Sequence, residues 1–168
     1  MPRRSNIPVR ALAIGVVAIG ALGLASLLSH DFLLYNHSTS IPAGIYLRID
    51  APIGRGSIVS VRSIDVAPAY ARRRDFADAG DRFIKRVVAA DRDEVCASGP
   101  LIQVNGQVIA QRNERDSEGR ALPTWSGCRV LLEDEVFLLG DTNDSFDGRY
   151  WGPIARDKIE GVWRVLSF

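Results

Sequence analysis

A mainly β domain behind one N-terminal transmembrane helix is the fold class this sequence predicts, and three observations carry it. Charged residues are absent between Arg10 and Asp31. Beyond that gap apolar and polar residues alternate with period two, as half-buried strands require. Asn105-Gly106 stands between two alternating halves, a strong short-range hairpin signal. At 168 residues the chain is long enough for one domain with a real core and too short for two comfortable ones.

The first element is the apolar run of residues 11–29, ALAIGVVAIGALGLASLLS. As a helix it spans about 28 Å, close to the roughly 30 Å hydrocarbon core of a bilayer. Arg3, Arg4 and Arg10 precede it and Asp31 follows, so the positive-inside rule keeps the N-terminus in the cytoplasm and exports the rest. The expected organisation is a cytoplasmic N-terminus over residues 1–10, an anchor over 11–30 and an extracytoplasmic domain over 31–168, carried by the inner membrane and facing the periplasm. A cleaved signal peptide is the alternative, because Gly23-Leu24-Ala25 offers small residues at a suitable spacing. A buried helix of a soluble protein is a third option.

Strands are expected over residues 45–49, 57–62, 83–89, 101–110 (as a hairpin), 129–132, 135–139 and 158–166. Two polar stretches separate them. Residues 64–81 carry Pro68 and the arginines Arg72, Arg73 and Arg74, and would form one short helix or a loop; the arginines would be solvated or would meet anionic lipid or an acidic partner. Residues 112–127 are rich in charge, Gly and Pro. Trp151 and Trp163 are expected in the core or at the membrane interface.

Cys96 and Cys128 fit an exported domain, where disulfides form and persist. Closing a loop of this length would contribute roughly 3–4 kcal/mol in the chain-entropy picture; two unpaired buried thiols are the alternative. Two cysteines without a C-x-x-C spacing support neither a metal site nor a redox motif. With 21 basic and 20 acidic residues the chain shows no nucleic-acid footprint. No cofactor is expected.

The composition also limits the chemistry. A Ser-His-Asp triad needs a histidine, and the sequence has only His30, at the membrane edge, and His37, three residues before Ser40. Both read as surface residues. Lysine is the other base that could serve a serine, and there are two, Lys85 and Lys158. At an unperturbed pKa near 10.4 only about one lysine in 2,500 is neutral at pH 7, whereas a pKa near 8 would leave roughly one in ten neutral. On a strand Lys85 shares a face with Phe83 and Val87, while Arg86 points the other way with Ile84 and Val88. Lys158, beside Asp157 and Glu160, reads as solvated.

Three segments then read together. They are residues 36–46 (Asn-His-Ser-Thr-Ser-Ile-Pro-Ala-Gly-Ile-Tyr), 83–88 (Phe-Ile-Lys-Arg-Val-Val) and 140–153 (Gly-Asp-Thr-Asn-Asp-Ser-Phe-Asp-Gly-Arg-Tyr-Trp-Gly-Pro). In order and content they resemble the nucleophile, lysine and C-terminal boxes of the type I signal peptidase superfamily, and most of all its conjugative-transfer branch, the TraF peptidases. The N-x-T-x-S-x-P-x-G-x-Y box of that branch is followed except for Ser38 in place of Thr. The departures from ordinary signal peptidases are Ile41 where Met follows the serine and Pro42 one place early. Ala90-Asp91-Arg92-Asp93 stands in place of a glycine-aspartate pair, and Gly148 where serine is usual.

The resemblance implies a signal-peptidase-like β fold and a role for each matching residue. Ser40 would be the nucleophile and Lys85 its general base. The backbone N–H of Ser40 and the hydroxyl of Ser38 would form the oxyanion hole. Ser145 would hydrogen-bond and orient Lys85, and Asp147 and Arg149 would brace their loop. The implied substrate is an exported pilin precursor, and the resemblance implies that cleavage is coupled to joining the pilin's ends, since an acyl-enzyme can be resolved by an amine as well as by water. Implied partners are that pilin or another preprotein, the lipid bilayer and proteins of a conjugation apparatus. A general signal peptidase and a catalytically inactive structural subunit of such an apparatus are the competing readings. The anchor excludes a cytoplasmic self-cleaving repressor.

Overall fold

The computed structural model describes residues 32–166, so the expected cytoplasmic N-terminus and transmembrane segment lie outside the described residues, as does His30. Among the described residues no helix is long and apolar enough to cross a membrane.

The described part is mainly β. Strands β1 (Leu33–Asn36), β2 (Gly44–Ile49), β3 (Ile58–Arg62), β4 (Arg82–Ala90), β9 (Glu135–Leu139), β10 (Ile154–Ala155) and β11 (Ile159–Val165) form one sheet in the order β1-β2-β11-β3-β4-β9-β10. Strands β5 (Glu94–Ser98), β6 (Leu101–Val104), β7 (Gln107–Gln111) and β8 (Gly127–Val130) form a second, ordered β7-β6-β5-β8. The named strand pairs are antiparallel.

The seven expected strand segments are present. The β6–β7 hairpin turns on Asn105 and Gly106, with φ of 51° and 77°, the positive values that this two-residue turn demands. Three strands go beyond the expectation: β1, β5 and the two-residue β10. The polar stretch after β3 holds two short helices, α1 (Ser63–Val66) and α2 (Pro68–Arg73), with Pro68 at the start of the second where its missing N–H costs nothing. A third, α3 (Gly148–Trp151), follows β9.

Three apolar clusters hold these layers. Val95, Ala97, Ile102 and Val104 of the second sheet pack with Ala89, Phe137 and Leu139 of the first. Val59, Val61, Val87, Leu138 and Val162 form another cluster within the large sheet, and Ile41, Tyr46, Ile84 and Trp163 form a third. Trp163 is thus a core residue, its indole N–H donating to Ser60 Oγ at 2.9 Å. Cys96 and Cys128 face each other across β5 and β8 and are joined in a disulfide.

Lys85 lies on the inner strand β4, opposite Val59 of β3, and Arg86 lies opposite Leu139, the last residue of β9. Residues 140–147 therefore leave the sheet beside the lysine. The β1–β2 loop brings Ser40 to the same place because Ile41, fully buried, plugs the cluster formed with Ile84 and Trp163. The isoleucine that departs from the usual methionine is the anchor beneath the serine.

Candidate active site

The serine loop is fixed from within. Buried Asn36, at the end of β1, donates through Nδ2 to the carbonyls of Ser38, Ile41 and Pro42 at 2.9, 3.1 and 3.1 Å. Its Oδ1 accepts the Ser38 N–H at 3.0 Å. Buried Tyr46 of β2 donates its hydroxyl to the Pro42 carbonyl at 2.6 Å. The polar residues of the first box thus shape the turn that presents Ser40.

Ser40 and Lys85 are both buried, at 7% and 4% exposure, and Lys85 Nζ lies 2.8 Å from Ser40 Oγ. Burial lowers the Lys85 pKa from 10.5 to about 8; Asp147 opposes the shift, Arg149 adds to it, and Asp141 and Asp144 oppose it more weakly. Arg86 points away from that pocket and forms a two-point pair with Asp141, at 2.9 and 2.8 Å. This hydrogen bonding holds the Asp141 carboxyl below its usual range. The Asp141 N–H in turn donates to the Ser40 carbonyl at 2.5 Å. Asp141 therefore ties the serine loop, β4 and the end of β9 together.

The two expected oxyanion donors are turned toward each other. The Ser40 N–H donates to Ser38 Oγ at 3.2 Å, and the Ser38 hydroxyl donates to Ser40 Oγ at 3.1 Å. Ser38 is exposed, so rotation about its χ1 would release both donors.

Asp147 and Arg149 lie together in the loop after β9. Asp147, fully buried, accepts the N–H groups of Gly140 at 2.7 Å and Arg149 at 3.0 Å, and pairs with the Arg149 guanidinium at 3.2 Å. Burial pushes the Asp147 carboxyl up; the Arg149 charge and these hydrogen bonds pull it back. Arg149 also donates to the carbonyls of Thr142, Ser145 and Gly140.

Ser145 corrects the expectation made for it. It is buried, but its hydroxyl makes no hydrogen bond to Lys85. It sits over Gly140, where a Cβ would meet Ser145 Oγ at 2.2 Å, on the Asp147 side of the loop, while the lysine nitrogen is engaged by Ser40. Gly140 is obligatory here, since a Cβ would also approach the Ser40 carbonyl to 2.8 Å. Gly148 has a similar reason: a Cβ there would lie 2.6 Å from the Leu138 carbonyl and 2.7 Å from the Phe137 ring, so the usual serine has no room.

The departure at residues 90–93 also has a structural explanation. Asp93 is buried in the β4–β5 turn, accepting the Ala90 N–H at 2.8 Å, the Asn105 amide at 3.0 Å and the Arg55 guanidinium. His37 is exposed, Lys158 lies in a short 3₁₀ turn, and Arg74 of the arginine cluster pairs with Asp116 at 2.5 Å. Asn36, Arg86 and Asp141 are the positioning residues that sequence reasoning did not assign. Asn36 had a signal, its place in the first box. The Arg86–Asp141 pair had none, because nothing local announces that β4 and β9 are neighbours.

Residues 9–168 match the family described as signal peptidase, peptidase S26. The plasmid transfer protein TraF of Escherichia coli is 36% identical over 165 residues, covering 89% of this chain and 93% of its own. A probable signal peptidase I-2 of Synechocystis sp. is 34% identical over 109 residues, covering 64% of this chain and 44% of its own. Among solved structures, a signal peptidase I from Enterococcus faecalis aligns with a TM-score of 0.39 and 22% identity, over 71% of this chain and 99% of that one.

Proposed function

The chain belongs to the signal peptidase (peptidase S26) family, in its TraF branch, and from that premise we propose that it is a membrane-anchored serine endopeptidase that processes an exported pilin precursor. The observation that carries the reading is the buried contact of Lys85 Nζ with Ser40 Oγ at 2.8 Å. A lysine with a pKa of about 8 is neutral in a useful fraction of molecules near neutral pH, so it can accept a proton from the hydroxyl it touches.

The steps follow from the geometry. Ser40 donates its proton to neutral Lys85 as its oxygen attacks the scissile carbonyl. Rotation of Ser38 frees its hydroxyl and the Ser40 N–H to meet the oxyanion; a single such donor is worth about 10²–10³ in rate. The lysine then gives its proton to the leaving amine, and the acyl group stays on Ser40. Water, or the amine of a second chain end, resolves the ester. The Asp141 N–H and the Asn36 amide hold the serine turn in place throughout.

The uncharged run of residues 11–29 with arginines before it supports an inner-membrane anchor and a periplasmic domain, and the disulfide suits that compartment. The likeness to TraF favours a pilin over export signals in general, and the weaker, partial likeness to signal peptidase I keeps the general enzyme as the second reading. Mass spectrometry of purified full-length chain incubated with a pilin precursor and, separately, with a generic secretory preprotein separates them. The expected result is cleavage of the pilin at least about tenfold faster. Equal turnover of both, with no end-joined pilin, would overturn the pilin reading.

A further inference from the structure

Beside the lysine lies a cluster of aromatic rings that the proposed mechanism does not use. Phe83, two residues before Lys85 on β4, places its ring centroid 5.8 Å from the Lys85 ammonium. Phe83 is backed in turn by Phe146, at 5.8 Å between ring centroids, and by Trp151 at 5.0 Å. Phe146 lies in the chain between Ser145 and Asp147, two of the most buried polar residues of the site. Its ring is sandwiched between Tyr70 of α2, at 3.5 Å and 10°, and Tyr150 of α3, at 5.1 Å and 10°. Tyr70 is held from outside by Arg74, whose guanidinium lies 5.1 Å from the ring centroid and is fixed by Asp116.

We infer that Phe146 is a positioning residue for the general base: stacked between Tyr70 and Tyr150, it backs Phe83 and excludes water from Lys85. The inference rests on the proposed role of Lys85. Other groups also act on the lysine charge. Ser40 touches it from the β1–β2 loop, Asp147, Arg149, Asp141 and Asp144 act from the segment after β9, and Arg86 on its own strand is paired with Asp141. None of these is an aromatic partner of the stack, so truncating Phe146 removes no charged side chain and acts through hydration. The same truncation admits water beside Asp147, which favours its ionised form and pushes the lysine in the same direction.

The test uses the fact that the chain has only two lysines, Lys85 and Lys158. Full-length protein in detergent micelles, labelled with ¹³C at lysine Cε, gives two titrating NMR signals, assigned with Lys85→Ala. In Phe146→Ala the Lys85 midpoint is expected to rise by about one pH unit as the lysine is rehydrated. Phe146→Leu, which keeps an apolar plug, is expected to stay within a few tenths of a unit of the wild type. If Phe146→Ala does not fold, Tyr70→Ala, which removes the outer ring of the stack, carries the same expectation with a smaller shift. A wild-type midpoint at the ordinary lysine value would overturn the proposed role of Lys85 itself. A lowered wild-type midpoint that neither Phe146→Ala nor Tyr70→Ala moves would overturn only the inference about the stack.

Discussion

Lys85 is expected to be a stability liability, because the chain must bury an amine that water would rather keep charged. The unfolded lysine holds its proton up to about 10.5 and the folded one releases it near 8. Between those values the unfolded state binds more protons, so stability rises with pH across that window and the penalty is fully present below it. The difference corresponds to about 3 kcal/mol. Lys85→Met should therefore be more stable than the wild type at pH 7, by up to that amount, while losing all processing activity. Urea unfolding at pH 7 and pH 10 checks this; equal stabilities at both values would contradict it.

The loop between β1 and β2 is the element on which the site depends most. The buried Asn36 amide makes three of the hydrogen bonds that hold the loop's turn, so Asn36→Ala leaves the carbonyls of Ser38, Ile41 and Pro42 without that donor and should cost about 2–3 kcal/mol. It should also slow processing about 10²-fold by displacing Ser40, without moving the Lys85 titration. Denaturant unfolding paired with a rate measurement reads both effects. This element also shows where sequence legibility stops. Few bases and strand periodicity single out Lys85, but Ser40 is legible only through the resemblance of residues 36–46 to a nucleophile box. Ile41 and Tyr46 as the anchors of the turn are not legible, since their partners Ile84 and Trp163 lie on distant strands. β5 was missed because Glu94–Ser98 is short and carries small residues, and its pairing with β6 and β8 is what makes it a strand. The place of the Ser145 hydroxyl over Gly140 is a close approach between residues five apart that no spacing reveals.

At the scale of the described domain, the disulfide loop reaches the site from the second sheet. Trp125 donates to the Gly148 carbonyl at 2.9 Å, Arg112 to the carbonyls of Trp125 and Arg149, and the Asn113 N–H to the Tyr150 hydroxyl at 3.1 Å. The polar stretch over residues 112–127, whose charge-, Gly- and Pro-rich composition announces no role at the site, thus clamps α3, which carries Arg149. The serine turn, β4, the segment after β9 and this clamp converge on one contact, that of Ser40 with Lys85. The most direct measurement of its role is mass spectrometry of the pilin precursor produced in cells beside the wild-type chain, Ser40→Ala or Lys85→Ala. The account predicts mature pilin with the wild type only and a loss of at least about 10³-fold in either variant. Mature pilin at wild-type levels in both variants would contradict it.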